Sequence, residues 1–163
     1  MTRIEANQPL VSSVLDRLLD DNPHAATELE KSRNQVLREL KQSVRRDLEN
    51  LLNTRWRCTG WPENLDELEF SLVNYGIPDI TGADLGVSRD RGRFCQVVER
   101  VIQHFEPRFK RVVVEMLENT DPTDRTLRFR IDALLHAEPA PEPVVFDSAL
   151  EPSTGSVEVK RGR

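Results

Sequence analysis

The feature that most constrains this chain is a change of hydrophobic period at one proline. Upstream, Phe94, Val97, Val98, Val101, Ile102 and Phe105 recur at three- and four-residue steps, the spacing of a buried helical stripe. Downstream, Phe109 to Leu117 is rich in Val, and Leu127, Phe129, Ile131 and Ala133 alternate with Arg128, Arg130 and Asp132. That is the two-residue period of strands, with the first run reading as buried on much of both faces. Pro107 lies between the two patterns. It has no amide hydrogen and disfavours helix at the residue before it, so the helix arriving from Arg91 is predicted to stop near Phe105 or Glu106. The junction also holds Glu106 and Arg108, opposite charges between the apolar anchors Phe105 and Phe109. Such a pair is either a local ion pair at a helix end or a recognition corner that meets a partner.

The rest of the chain fills in the layers. Leu10, Val11, Val14, Leu15, Leu18 and Leu19 form a short amphipathic helix closed by Asn22-Pro23, an arm for docking on this fold or on a neighbour. Val36, Leu37, Leu40, Val44, Leu48, Leu51 and Leu52 mark a long core helix over about five turns. Its polar face, with Arg38, Lys41, Arg45, Arg46 and Asp47, reads as solvated surface. Trp56 and Trp61, set among Arg55, Arg57 and Cys58, read as a lid on the core or as an interface anchor. Leu68, Phe70 and Leu72 suggest a short extended piece, Gly76 a backbone position needing positive φ, and Thr81 to Asp84 a capping box. Ser88 caps the second long helix, with Asp90 in its first turn. Past the corner, Asn119 to Asp124 joins two strands as a hairpin loop, and a third strand is predicted at Val144 to Ala149. The predicted fold is α+β: two long amphipathic helices packed on one face of an antiparallel sheet of about three strands, with a short N-terminal helical arm. Arg128 and Arg130, beside Lys110 or Arg111, are expected to make the other face basic.

Composition narrows the function. A formal charge of −5 argues against a general nucleic-acid binder, and the acids Glu63, Asp66, Glu67, Glu69, Asp79 and Asp84 stand between Cys58 and Ser88 without any Lys or Arg. Two cysteines are too few for a disulfide framework or zinc cluster. No apolar run suits a signal peptide or a membrane span, so the expectation is a soluble, cytoplasmic protein. His24, His104 and His136 lack partners at metal-ligand spacing, the glycines form no phosphate loop, and no nucleophile elbow appears. No cofactor and no metal are expected. A glycosidase needs two suitably spaced carboxylates, which composition does not exclude, but nothing singles out such a pair.

Four stretches in order carry a resemblance: Ser13 to Leu19, Asp47 to Arg55, Asn74 to Gly82, and Phe105-Glu106-Pro107-Arg108. Together they resemble the TssE family of type VI secretion baseplate wedge subunits, which is similar to the GPW wedge proteins of contractile phage tails. The resemblance spans roughly Pro9 to Leu150. It implies a non-enzymatic structural protein of the baseplate, near the base of the sheath, in the cytoplasm at the inner membrane of a Gram-negative bacterium. The implied partners are TssF and TssG, with TssK, the spike and the sheath as further neighbours, and neither nucleic acid nor membrane insertion. The family's Glu-Pro-Arg hallmark falls on Glu106, Pro107 and Arg108, which makes them the candidate partner-binding residues. Under this reading Arg108→Ala leaves the isolated fold intact. Phage relatives have been called lysozyme-like, so peptidoglycan hydrolysis is the alternative. The expected division is an arm over residues 1–33, a wedge domain over 34–150 and a flexible tail over 151–163.

Overall fold

Each of the two long helices runs along one margin of a four-stranded antiparallel sheet, and the space between helices and sheet is the core. The computed structural model describes residues 14–18, 32–56, 64–68, 71–78, 88–119, 124–137 and 140–162. The helices are α1 (Val14–Leu18), α2 (Arg33–Asn53) and α3 (Ser88–Phe105). The strands β1 (Phe109–Leu117), β2 (Leu127–Leu135), β3 (Glu142–Glu151) and β4 (Ser156–Arg161) lie in chain order across the sheet.

The apolar stripes of the sequence meet where their spacing requires. Val44, Leu48 and Leu52 of α2 and Val98 and Ile102 of α3 are fully buried against Val112, Phe129, Ile131, Phe146 and Leu150. Phe94 packs edge-on against Phe129, with ring centroids 5.5 Å apart. Alternate residues of each strand enter this core, and the opposite face stays open.

Side chains of the helices also occupy the backbone groups at both margins of the sheet. On α2, Asn53 donates from Nδ2 to the Val157 carbonyl and accepts from the Val157 N–H, both at 2.8 Å. One turn earlier Glu49 accepts from the Val159 N–H at 3.4 Å, and Arg45 donates to the Val159 carbonyl at 3.1 Å. On α3, Glu99 accepts from the Val114 N–H and Gln103 donates to the Val112 carbonyl, each at 3.4 Å. The geometry permits this because four helical residues advance about 6 Å and two strand residues about 6.6 Å.

Several expectations are corrected. The sheet has four strands rather than about three, because Val157 and Val159 are buried and draw the expected tail into the fold as β4. In place of a short extended piece around Leu68 and Leu72, the chain forms two 3-10 turns, Asp66–Leu68 and Leu72–Asn74. β1 buries one face instead of much of both. The open face is not basic either, since the register sets Glu115 beside Arg130, Arg130 beside Asp147 and Asp147 beside Lys160. Arg130 Nε is 2.9 Å from Asp147 Oδ1, so opposite charges alternate across the row. The lid role expected for Trp56 holds: it packs on the core and its Nε1 donates to the Gly76 carbonyl at 2.6 Å. Gly76 has φ of 113°, as its setting demands. Arg57, Cys58, Trp61, Phe70 and the capping box at Thr81 to Asp84 lie outside the described residues, as does the tip of the hairpin loop.

Candidate partner-binding site

The corner at Pro107 is built as the proline dictates. The last helical hydrogen bond of α3 runs from Glu106 N–H to the Ile102 carbonyl at 2.9 Å. The Glu106 carbonyl then accepts from Phe109 N–H at 3.2 Å, closing a turn with Pro107 and Arg108 at its centre. Proline suits the first central position because its φ is already set. The Arg108 carbonyl accepts from His136 N–H at 2.8 Å, which ties the turn to the end of β2. The pairing of β1 with β2 shifts between Phe109 and Arg111, a bulge that lets Phe109 and Val112 both face the core.

The sequence offered a local ion pair at a helix end or a partner contact for Glu106 and Arg108; the structure gives them an internal role first. Glu106 is only 5% exposed. Arg108 grips it as a fork, with Nε 2.6 Å from Oε1 and Nη2 on Oε2. The same Nη2 reaches Asp47 Oδ2 at 2.6 Å, and Nη1 donates to Ser43 Oγ at 3.1 Å. Burial works against the charge on Arg108. The hydrogen bonds and charges of Glu106 and then Asp47 outweigh it, so the guanidinium pKa is raised.

A chain of alternating charge continues outward from there. Arg46 Nη2 lies 3.2 Å from Asp47 Oδ1 and 2.6 Å from Asp16 Oδ1 of α1, while Ser43 Oγ donates to Asp16. Asp16, Arg46, Asp47, Arg108 and Glu106 thus form one network that pins α1, α2 and the corner together. Tyr75 flanks it, edge-on to Phe105 at 5.3 Å. Its hydroxyl pKa is raised by burial and by the nearby charges of Asp47 and Glu106.

Sequence reading brought Glu106, Pro107 and Arg108 together; it took Arg46 and Asp47 as solvated helix surface and did not single out Ser43. Their spacing of i, i+3 and i+4 put them on one face of α2 and was the available signal. What the corner offers outward is Pro107, which is exposed, and one edge of Arg108, whose side chain is 20% exposed. Two carboxylates sharing one guanidinium make an arrangement for pairing charge and fixing shape. Among the described residues no group of His, Cys, Asp or Glu has the geometry to hold a metal, and no helix is long and apolar enough to cross a membrane.

No curated protein matches the chain. A solved structure titled "The baseplate complex from the type VI secretion system" is similar at 22% identity and a TM-score of 0.49, over 70% of this chain and 96% of that one. A family model described as "Baseplate wedge protein gp25" matches residues 38–140, more than half of the chain, including Asp47 and the whole Glu106-Pro107-Arg108 corner. The chain therefore belongs to the baseplate wedge protein gp25 family.

Proposed function

We propose that this chain is a TssE-like structural wedge subunit of a bacterial type VI secretion baseplate, joining its partners through Glu106, Pro107 and Arg108. Membership of the wedge family supports the structural role, and the four ordered sequence stretches support the secretion-system assignment within it. The observation that carries the contact residues is the bracing of an exposed Pro107 turn from inside by the buried Glu106–Arg108 pair. In this reading Glu106 contributes from inside the corner. It holds the Arg108 fork, so that Pro107 and the free edge of the guanidinium meet TssF and TssG. TssK, the spike and the sheath are further neighbours, and the assembly sits in the cytoplasm at the inner membrane.

The test is Pro107→Glu, coexpressed with TssF and TssG. Pro107 is exposed and no residue other than glycine among those described has positive φ, so another residue fits the turn. The expected result is an unchanged melting temperature with loss of co-purification. Full complex formation by the variant refutes the corner's role. Failure of the wild-type chain to co-purify refutes the secretion-system assignment.

A further inference from the structure

We propose that the cleft between α2 and the start of β3 is a binding site for a small organic polyanion, a role separate from the corner. The cleft has a volume of about 460 Å³. One wall is a stripe of α2, Arg38, Lys41 and Arg45, at the i, i+3 and i+7 spacing of a single helix face. The other wall includes Val144, Phe146 and Arg161.

The topology of the sheet creates this space. Pairing of β4 with β3 ends where Arg161 stands opposite Phe146, and Gly162 N–H makes a last bond to the Val145 carbonyl at 2.8 Å. β3 begins earlier, at Glu142, so the cleft opens beside its first residues.

The charges on the two walls are unequally compensated. Lys41 Nζ lies 2.7 Å from Glu142 Oε1, and Arg45 Nη1 lies 2.9 Å from Glu49 Oε2. Arg38 and Arg161 have no carboxylate partner among the described residues. Arg38 spends only its Nε, on the Asn34 carbonyl at 3.3 Å. Two guanidinium forks are therefore uncommitted beside two paired cations, in a chain whose formal charge is −5. Guanidinium forks match the oxygens of phosphate and carboxylate in pairs. The volume falls in the range of small-molecule sites, and exposed Pro143 and half-buried Val145 offer apolar surface for an uncharged body. The ligand class is a compact molecule with two or more phosphate or carboxylate groups.

The experiment titrates the full chain with tripolyphosphate, ATP and citrate, following amide resonances by NMR at moderate salt. Saturable shifts centred on Val144, Val145 and Gly162 are expected, growing as salt is lowered. Response to tripolyphosphate and ATP identifies a phosphate ligand, and response to citrate alone a carboxylate one. The double variant Arg38→Ala, Arg161→Ala removes two exposed side chains, so it keeps the wild-type melting temperature and binds about tenfold more weakly. Absence of saturable binding by all three probes overturns the proposal, as does undiminished binding by the double variant. Binding of a Glu-rich peptide in place of the three probes overturns it in favour of a protein partner.

Discussion

The guanidinium of Arg108 lies 2.6 Å from the carboxylate of Asp47, joining the turn after α3 to the middle of α2. The contact gives Arg108 two acids to serve, one buried beneath it and one on the neighbouring helix. It also passes the restraint on to Arg46 and from there to Asp16 of α1. Arg108 thus ties the corner to the long helix, and Ser43 and Arg46 of that helix hold the arm in turn.

Removing that residue strands a buried charge. Arg108→Ala leaves Glu106 without its fork, and breaking a buried pair on one side costs about 3 to 5 kcal/mol. The sequence-based expectation of an intact fold is thus replaced by substantial destabilisation, measurable by urea unfolding. The double variant Glu106→Gln, Arg108→Ala is expected to lose less than the sum of the two single changes. Strict additivity would mean that the two side chains are not coupled.

Gly76 is a second point of high sensitivity. At φ of 113° a side chain is strained, and a Cβ there would stand 2.3 Å from the Thr54 carbonyl oxygen. Gly76→Ala is expected to cost at least about 1 to 3 kcal/mol in thermal or chemical unfolding. An unchanged melting curve would show that the segment can move away from the end of α2.

The last strand belongs to the core. Ending the chain after Glu151 removes Val157 and Val159, which are 2% and 1% exposed. Burial of two such side chains contributes about 3 to 6 kcal/mol, so the shortened chain is expected to be insoluble or to melt far below the full one. Equal melting of the two would place β4 outside the cooperative fold.

Acid should expose the role of Asp124. Its pKa is lowered from 3.8 to about 2 by hydrogen bonds from Thr126 and then Arg128. The Thr126 N–H and Arg128 Nη2 each lie 2.9 Å from its oxygens. A depressed carboxylate stabilises the fold fully above its unfolded pKa, and the contribution fades as pH falls through the folded value. The stability difference between wild type and Asp124→Asn should be constant above about pH 5 and shrink towards pH 2. A difference that persists unchanged at the lowest pH would refute the assignment.

Much of this architecture was readable from local pattern. The stripes from Leu40 to Leu52 and from Phe94 to Ile102 locate both long helices, and Pro107 locates the corner because its chemistry acts on the residues beside it. What escaped depends on partners distant in sequence. Asp47 looks like one more solvated acid until the fold sets Arg108 against it. Val157 and Val159 are two apolar residues in a polar stretch, too weak a signal alone, and they become a strand because β3 and α2 receive them. The charges of the open face were legible singly, but their alternation is a matter of register, which no single strand contains. Arg38 and Arg161 share a cleft only because β4 ends where it does.

The side chains that α2 and α3 lay along the two outer strands have a consequence for life at high concentration. An exposed strand margin with free N–H and C=O groups invites neighbouring chains to add on, and repeated addition leads to aggregates. Here Asn53, Glu49 and Arg45 occupy those groups on β4, and Glu99 and Gln103 do so on β1. At Val157 and Val159 of β4 and at Val112 and Val114 of β1, the backbone groups are thereby withheld from another chain's strand.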